Sequence, residues 1–238
     1  MATLKKYLFL TVLIFLAASS VAQAEEKSLK NYFDEANTFR DKGDLVQAEE
    51  NYSKAIEMNS SYQILHYERG EVRFKKNDPD GAIRDFTKGL ALSPRSKKAY
   101  HVLCLRSEAY FKKKDFEKSD SDLEKAIVLD PKEDEAYRRR GSAYAAQGKI
   151  EKALSDLDHA IELDPADDEN YSARAKIYFS KNRYKEAAAD YSRAIELNPK
   201  SDPAYAGRGT TLFVLSDYRG ALSDLREAVA LNPLQEKI

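Results

Sequence analysis

Large and small residues recur at helical spacing through Ala136-Tyr137-Arg138-Arg139-Arg140-Gly141-Ser142-Ala143-Tyr144. They do so again through Ala153-Leu154-Ser155-Asp156-Leu157-Asp158-His159-Ala160-Ile161. Apolar positions three and four apart define one buried stripe per segment, so the pattern predicts two amphipathic helices. The pair then repeats. Ala126, Ala160, Ala194 and Ala228 stand 34 residues apart, as do Pro131, Pro165, Pro199 and Pro233, and also Tyr137, Tyr171 and Tyr205. Several independent columns with one period mark an internal repeat. Its register divides the chain into residues 29–62, 63–96, 97–133, 134–167, 168–201 and 202–235.

Between the two helices of a repeat stand Gly43, Asn77, Gly148 and Asn182, residues that tolerate the left-handed conformation ending a helix. Proline follows the second helix in five of the six repeats and stops it. A helix-turn-helix unit of this kind buries one face only and has to stack on its neighbours.

The pattern resembles the tetratricopeptide repeat, with large residues near positions 4, 7, 11 and 24, small ones at 8, 20 and 27, and proline at 32. Repeat four carries it as Tyr137, Gly141, Tyr144, Ala153, Leu157, Ala160 and Pro165. Repeat five carries it as Tyr171, Ala175, Tyr178, Ala187, Tyr191, Ala194 and Pro199. The resemblance implies an all-α, right-handed superhelical α-solenoid over residues 29–235, with protein binding as its use. The motif specifies packing and leaves the ligand open.

Two columns depart from the family pattern together. Position 7 is Arg69, Arg106, Arg140, Arg174 and Arg208, and position 23 is Asp85, Asp122, Asp156, Asp190 and Asp224; repeat one changes both, to Glu35 and Asn51. Joint change implies contact, so each arginine is expected to meet the aspartate of its own repeat. Partly buried ion pairs that fix hairpin register are preferred over a recognition stripe, because a charge satisfied inside its repeat is not free for a ligand. Repeat three holds three extra residues, slightly under one helical turn, which lengthen its first helix or kink it.

The first 24 residues read as an address. Lysines at Lys5 and Lys6 precede the apolar run Tyr7 to Ala18, and Ala22-Gln23-Ala24 places small residues two apart, so cleavage is expected after Ala24. The run is shorter than the roughly 18 residues of a membrane span. Export to the periplasm or beyond follows as an expectation, with 25–28 as a short lead-in and 236–238 as a tail. Removing the two leader lysines takes the formal charge from −1 to −3. That balance gives no concentrated basic surface for nucleic acid.

Cys104 is the one cysteine, which excludes an internal disulfide; it is read as a buried side chain, the alternative being an intermolecular bond. His101 and Cys104 have a ligand-like spacing without a third ligand, so no metal is assigned. His66, His101 and His159 are the only histidines, and none stands beside a nucleophile motif. No glycine-rich phosphate loop or HExxH is present, so neither cofactor nor catalysis is expected. Glycosylation triplets at Asn51, Asn59 and Asn170 occur at a frequency chance explains.

In the family, positions 2, 5, 9, 12 and 13 of the first helices line a groove. Here that implies Phe74, Phe111, Phe179 and Phe213 in an aromatic row, with Tyr67, Lys75, Lys112, Arg138 and Lys176 around it, a mixture suited to a peptide ligand. The alternative is that the phenylalanines fill the seams between repeats. Leu222, Leu225, Val229 and Leu231 keep the apolar character of internal repeats, so the last repeat presents a face built for a neighbour. A non-enzymatic envelope adaptor that holds a peptide is the leading expectation. The other is a structural envelope protein acting through a homodimer of its C-terminal repeat.

Overall fold

The computed structural model describes residues 28–233. The leader, its cleavage point after Ala24 and the tail 236–238 lie outside them. The described residues form twelve helices: α1 (residues 28–41), α2 (Leu45–Met58), α3 (Gln63–Lys75), α4 (Pro79–Leu92), α5 (Ala99–Lys112), α6 (Phe116–Leu129), α7 (Asp134–Ala146), α8 (Ile150–Leu163), α9 (Asp168–Ser180), α10 (Tyr184–Leu197), α11 (Asp202–Val214) and α12 (Tyr218–Leu231). They follow the expected register, two per repeat. The chain divides into two compact units, one ending at Lys113 and holding α1 to α5, the other starting at Lys114 and holding α6 to α12.

Each first helix ends on a residue at positive φ: Gly43, Asn77, Lys114, Gly148, Asn182 and Ser216. The sequence pattern shows four of these. Lys114 and Ser216 adopt the same backbone against a cost of roughly 1 kcal/mol. Asp44, Asp78, Asp115 and Asp217 then cap the second helices, each accepting a backbone N–H three residues on.

The small columns are where helices touch. Ala36, Ala48, Ala55, Ala153, Ala160, Ala175, Ala187 and Ala194 are fully buried. At Gly141 a Cβ would lie 2.9 Å from Leu157 Cγ and 3.0 Å from the Ala153 carbonyl oxygen, so α7 and α8 approach to backbone contact there. Larger neighbours fill the remaining space. Tyr52 packs with Ala36, Ala48 and Val72 in the first unit, and Tyr191 with Ala175, Ala187 and Ala204 in the second. Each such side chain contributes about 2 kcal/mol of burial.

The three extra residues of repeat three leave its first helix unbroken. They fall mostly in the preceding loop, which runs over residues 93–98 where other repeats use four residues such as 130–133. Helix α5 gains a single residue, fourteen against thirteen in α7. A loop absorbs an insertion without rotating the buried stripe of the helix after it. Cys104 is buried on α5, and His101 on the same helix is half exposed.

Candidate functional site

The arginine and aspartate columns meet as fork-to-fork pairs. In each case the Nε and Nη2 hydrogens go to the two carboxylate oxygens, at 2.9 and 2.7 Å for Arg69–Asp85, 2.8 and 2.9 Å for Arg140–Asp156 and Arg174–Asp190, and 2.7 and 2.8 Å for Arg208–Asp224. Arg106 belongs to the first unit and Asp122 to the second. The bond to its aspartate raises the pKa of each of Arg140, Arg174 and Arg208 above the ordinary arginine value. Tyrosine rings flank the guanidinium, Tyr137 and Tyr144 around Arg140 and Tyr171 and Tyr178 around Arg174. Such faces add roughly 0.5–1 kcal/mol each to a cation held against them.

The third guanidinium nitrogen reaches back to the previous repeat. Arg69 Nη1 donates to Ser53 Oγ at 3.0 Å, Arg106 to Thr87 Oγ1 at 2.9 Å, Arg174 to Asp158 Oδ1 at 2.6 Å and Arg208 to Ser192 Oγ at 3.2 Å. One side chain thus ties three helices, and the ladder sets spacing between repeats as well as within them. A polar residue at position 25 of each second helix was the available signal. Pairing within a single repeat makes no use of that position.

Repeats one to three add charges of their own. Glu68 is buried between Arg40 and Lys98, and Asp85 receives Arg73 at 2.9 Å besides Arg69. Burial raises the Glu71 carboxyl, and the charge of Glu68 adds to the rise.

The sequence-derived groove residues separate into groups. Tyr67 is a correction: it is 1% exposed, and its hydroxyl donates to the Ser93 carbonyl at 3.2 Å, so it fills the seam against α4. Phe179 and Phe213 meet the first aromatic of their own second helix edge-on, Tyr184 at 5.3 Å and Tyr218 at 5.5 Å. Phe179 is half-buried against the core and Phe213 is exposed. Phe74 and Phe111 are half-buried, and the Lys112 ammonium sits 4.1 Å from the Phe74 ring centre. Lys75 is exposed.

Arg138 and Lys176 stand together in a cleft of about 650 Å³ in the second unit. Helices α7 and α9 form its walls through Arg138, Ser142, Ala145, Ser172, Ala173 and Lys176, and Lys200 of the loop into α11 with Pro203 of its first turn closes one end. Of these, Arg138, Ser142, Ala145, Ser172 and Lys176 stand at positions the family turns toward its groove. Asparagines lock the mouth: Asn198 donates to Asp168 at 3.3 Å, and Asn232 to Asp202 at 3.1 Å. Beneath, fully buried Asn170 donates to Asp134 at 2.8 Å. Burial pushes the Asp167 carboxyl up to about 6, against the Glu169 amide and the Arg138 guanidinium, which pull it down; Asp134 beside it adds to the rise.

Among the described residues no three histidine, cysteine or acidic side chains are grouped to hold a metal ion, and no helix is long and apolar enough to cross a membrane.

Tetratricopeptide-repeat families match residues 33–97, 107–177 and 175–214. Curated proteins give no significant match. Among solved structures, a tetratricopeptide repeat protein from Parabacteroides merdae is 21% identical, with 86% of this chain and 80% of that one covered at a TM-score of 0.69. PilF of Pseudomonas aeruginosa is 18% identical over 88% and 94%, at 0.68. A thermophilic TPR protein of Thermus thermophilus is 24% identical over 78% and 100%, at 0.64. These likenesses show the fold, an all-α helical repeat solenoid. With the matched repeats spanning most of its length, the chain belongs to the tetratricopeptide-repeat family.

Proposed function

We propose that this protein is a non-catalytic scaffold that holds a peptide segment of a partner in the cleft between α7, α9 and the loop into α11. The coarser part, a protein-interaction scaffold, follows from the repeat family. The cleft carries the finer part: a partly apolar trough with charged and hydroxyl groups at the positions the family turns toward its groove. The leader pattern of Met1–Ala24 supports an exported, periplasmic or secreted location, for which a mature chain beginning at Glu25 is the mark.

Phage display of random dodecapeptides against the purified second unit's parent chain tests the reading. Ser142 is exposed in the trough, so Ser142→Trp should fill it and weaken selected peptides at least tenfold while helicity and melting temperature stay put. Selection of no peptide, or peptides indifferent to this change, would sink the proposal.

A second contact has its own observation. Tyr191 and Ile195 of α10 are 4% and 9% exposed, whereas Leu225 and Val229, one repeat later, are 39% and 40% exposed. With Leu222 and Tyr218 they form an apolar face on α12. Self-association through it predicts a dimer that Leu225→Lys with Val229→Lys converts to monomer. A monomeric light-scattering mass for the unaltered chain across a wide concentration range removes the idea.

A further inference from the structure

Where one repeat stacks on the next, the position-7 arginine of the incoming first helix reaches back to position 25 of the second helix before it. The acceptors are Ser53, Thr87, Asp158 and Ser192, bonded by Arg69, Arg106, Arg174 and Arg208. Between repeats three and four, position 25 is Glu124, again an acceptor by type. Each inner junction therefore sets a donor on the incoming helix against an acceptor on the helix it joins.

The first and last helices break this rule in opposite senses. On α12, position 25 is Arg226, a donor where every inner repeat has an acceptor. On α1, position 7 is Glu35, an acceptor where every other repeat has a donor. Both side chains are exposed, and among the described residues neither makes an ion pair or a side-chain hydrogen bond. Glu35 does not use the position that serves the arginines: in repeat one it is Asn51, whose amide donates to the Gln47 carbonyl at 2.9 Å.

Beside Glu35, the exposed side of α1 carries groups that inner junctions bury. Position 3 is Asn31, and Asn170 holds that position fully buried in repeat five. Position 10 is Thr38, whose hydroxyl donates to the Asp34 carbonyl at 2.9 Å; Thr211 of repeat six makes the same back-bond at 2.7 Å and is fully buried. A hydroxyl satisfied by its own helix loses no bond on burial. The α12 end offers Leu225 and Val229, at the positions where α10 presents Tyr191 and Ile195 to Ala204 of α11. Pairing α12 with itself is less favourable, because an antiparallel seam over Leu222 and Leu225 sets Arg226 of one copy beside Arg219 of the other.

We propose that the α12 end of one copy receives α1 of a second copy as though it were the first helix of a seventh repeat, with Arg226 of the one bonded to Glu35 of the other. The proposal rests on the self-association reading and names the surface that meets α12. A contact between unlike faces leaves one of each kind free in a dimer, so growth continues beyond two copies unless the ends meet.

Sedimentation equilibrium on the full chain reads the association. Glu35→Arg alone and Arg226→Glu alone should each weaken it roughly tenfold or more, and both reversals in one chain should restore most of it. Both residues are exposed, so the melting temperature of the dilute chain should stay put. A second arm blocks one face per chain: Glu35→Arg with Thr38→Arg closes the α1 face, and Leu225→Lys with Val229→Lys closes the α12 face. Each blocked chain should be monomeric alone, and an equal mixture should form a heterodimer and nothing larger.

A dimer formed by the chain blocked at α1 overturns the head-to-tail contact and leaves self-association through α12 standing. Failure of the double reversal to restore association also overturns it, as does a mixture that stays monomeric while the unaltered chain associates. An unaltered chain that is monomeric throughout removes both readings.

Discussion

Asp156→Ala should destabilise the second unit by roughly 3 kcal/mol, because it leaves Arg140 charged, largely buried and without its fork partner. Arg140 is the informative rung. Among the described residues it makes no bond to the preceding repeat of the kind that Arg174 makes to Asp158 and Arg208 makes to Ser192. The loss corresponds to a fall in melting temperature on the order of 10 °C for a chain of this size. Repeat arrays can open piecewise, so amide exchange should locate the change in α7 and α8. Arg140→Met with Asp156→Leu should recover most of the loss, since replacing both partners by apolar groups removes the stranded charge. Unchanged stability in Asp156→Ala would mean that the ladder does not hold the hairpin together.

The second large effect is expected from Phe86→Ala, at about 3–5 kcal/mol. The Phe86 ring is fully buried and lies over Gly70, where a Cβ would come within 2.6 Å of it. Gly70→Ala should therefore be harmful alone and close to neutral in the Phe86→Ala background, a coupling expected of residues in direct contact. Phe213→Ala is the control: that ring is 60% exposed, and its loss should stay within about 0.5 kcal/mol. Urea midpoints at constant slope measure all four variants. If Phe86 and Phe213 proved equally costly, the exposure pattern of the two units would be wrong.

These two cases show how unevenly function and fold were written in the chain. Both phenylalanines belong to periodic columns, Phe86 at position 24 and Phe213 at position 12, and periodicity alone gives them equal standing. Arg138 and Lys176 were found through their groove positions, and Tyr67 was misplaced by the same rule. A helical position fixes direction only to within a third of a turn, and Tyr67 is long enough to reach the seam and bond the Ser93 carbonyl. Ser172 holds position 5 of repeat five, as Arg138 does in repeat four, but its residue type gives no signal. Serine on a helix surface is unremarkable until its hydroxyl is seen to be buried and unmatched.

By itself the sequence determined the repeat length, the two-helix unit, the small-residue contacts and the arginine–aspartate pairing. Each is a local or periodic constraint, repeated often enough that one chain carries its own comparison. Tertiary structure alone decided the reach of Arg69, Arg106, Arg174 and Arg208 to the previous repeat, the loop that absorbs the insert of repeat three, the division at Lys113, and the placing of Ser172 and Arg138 in one cleft. Those depend on distances between residues of different repeats. Such distances come from how neighbouring surfaces settle against one another, which no period in the sequence encodes.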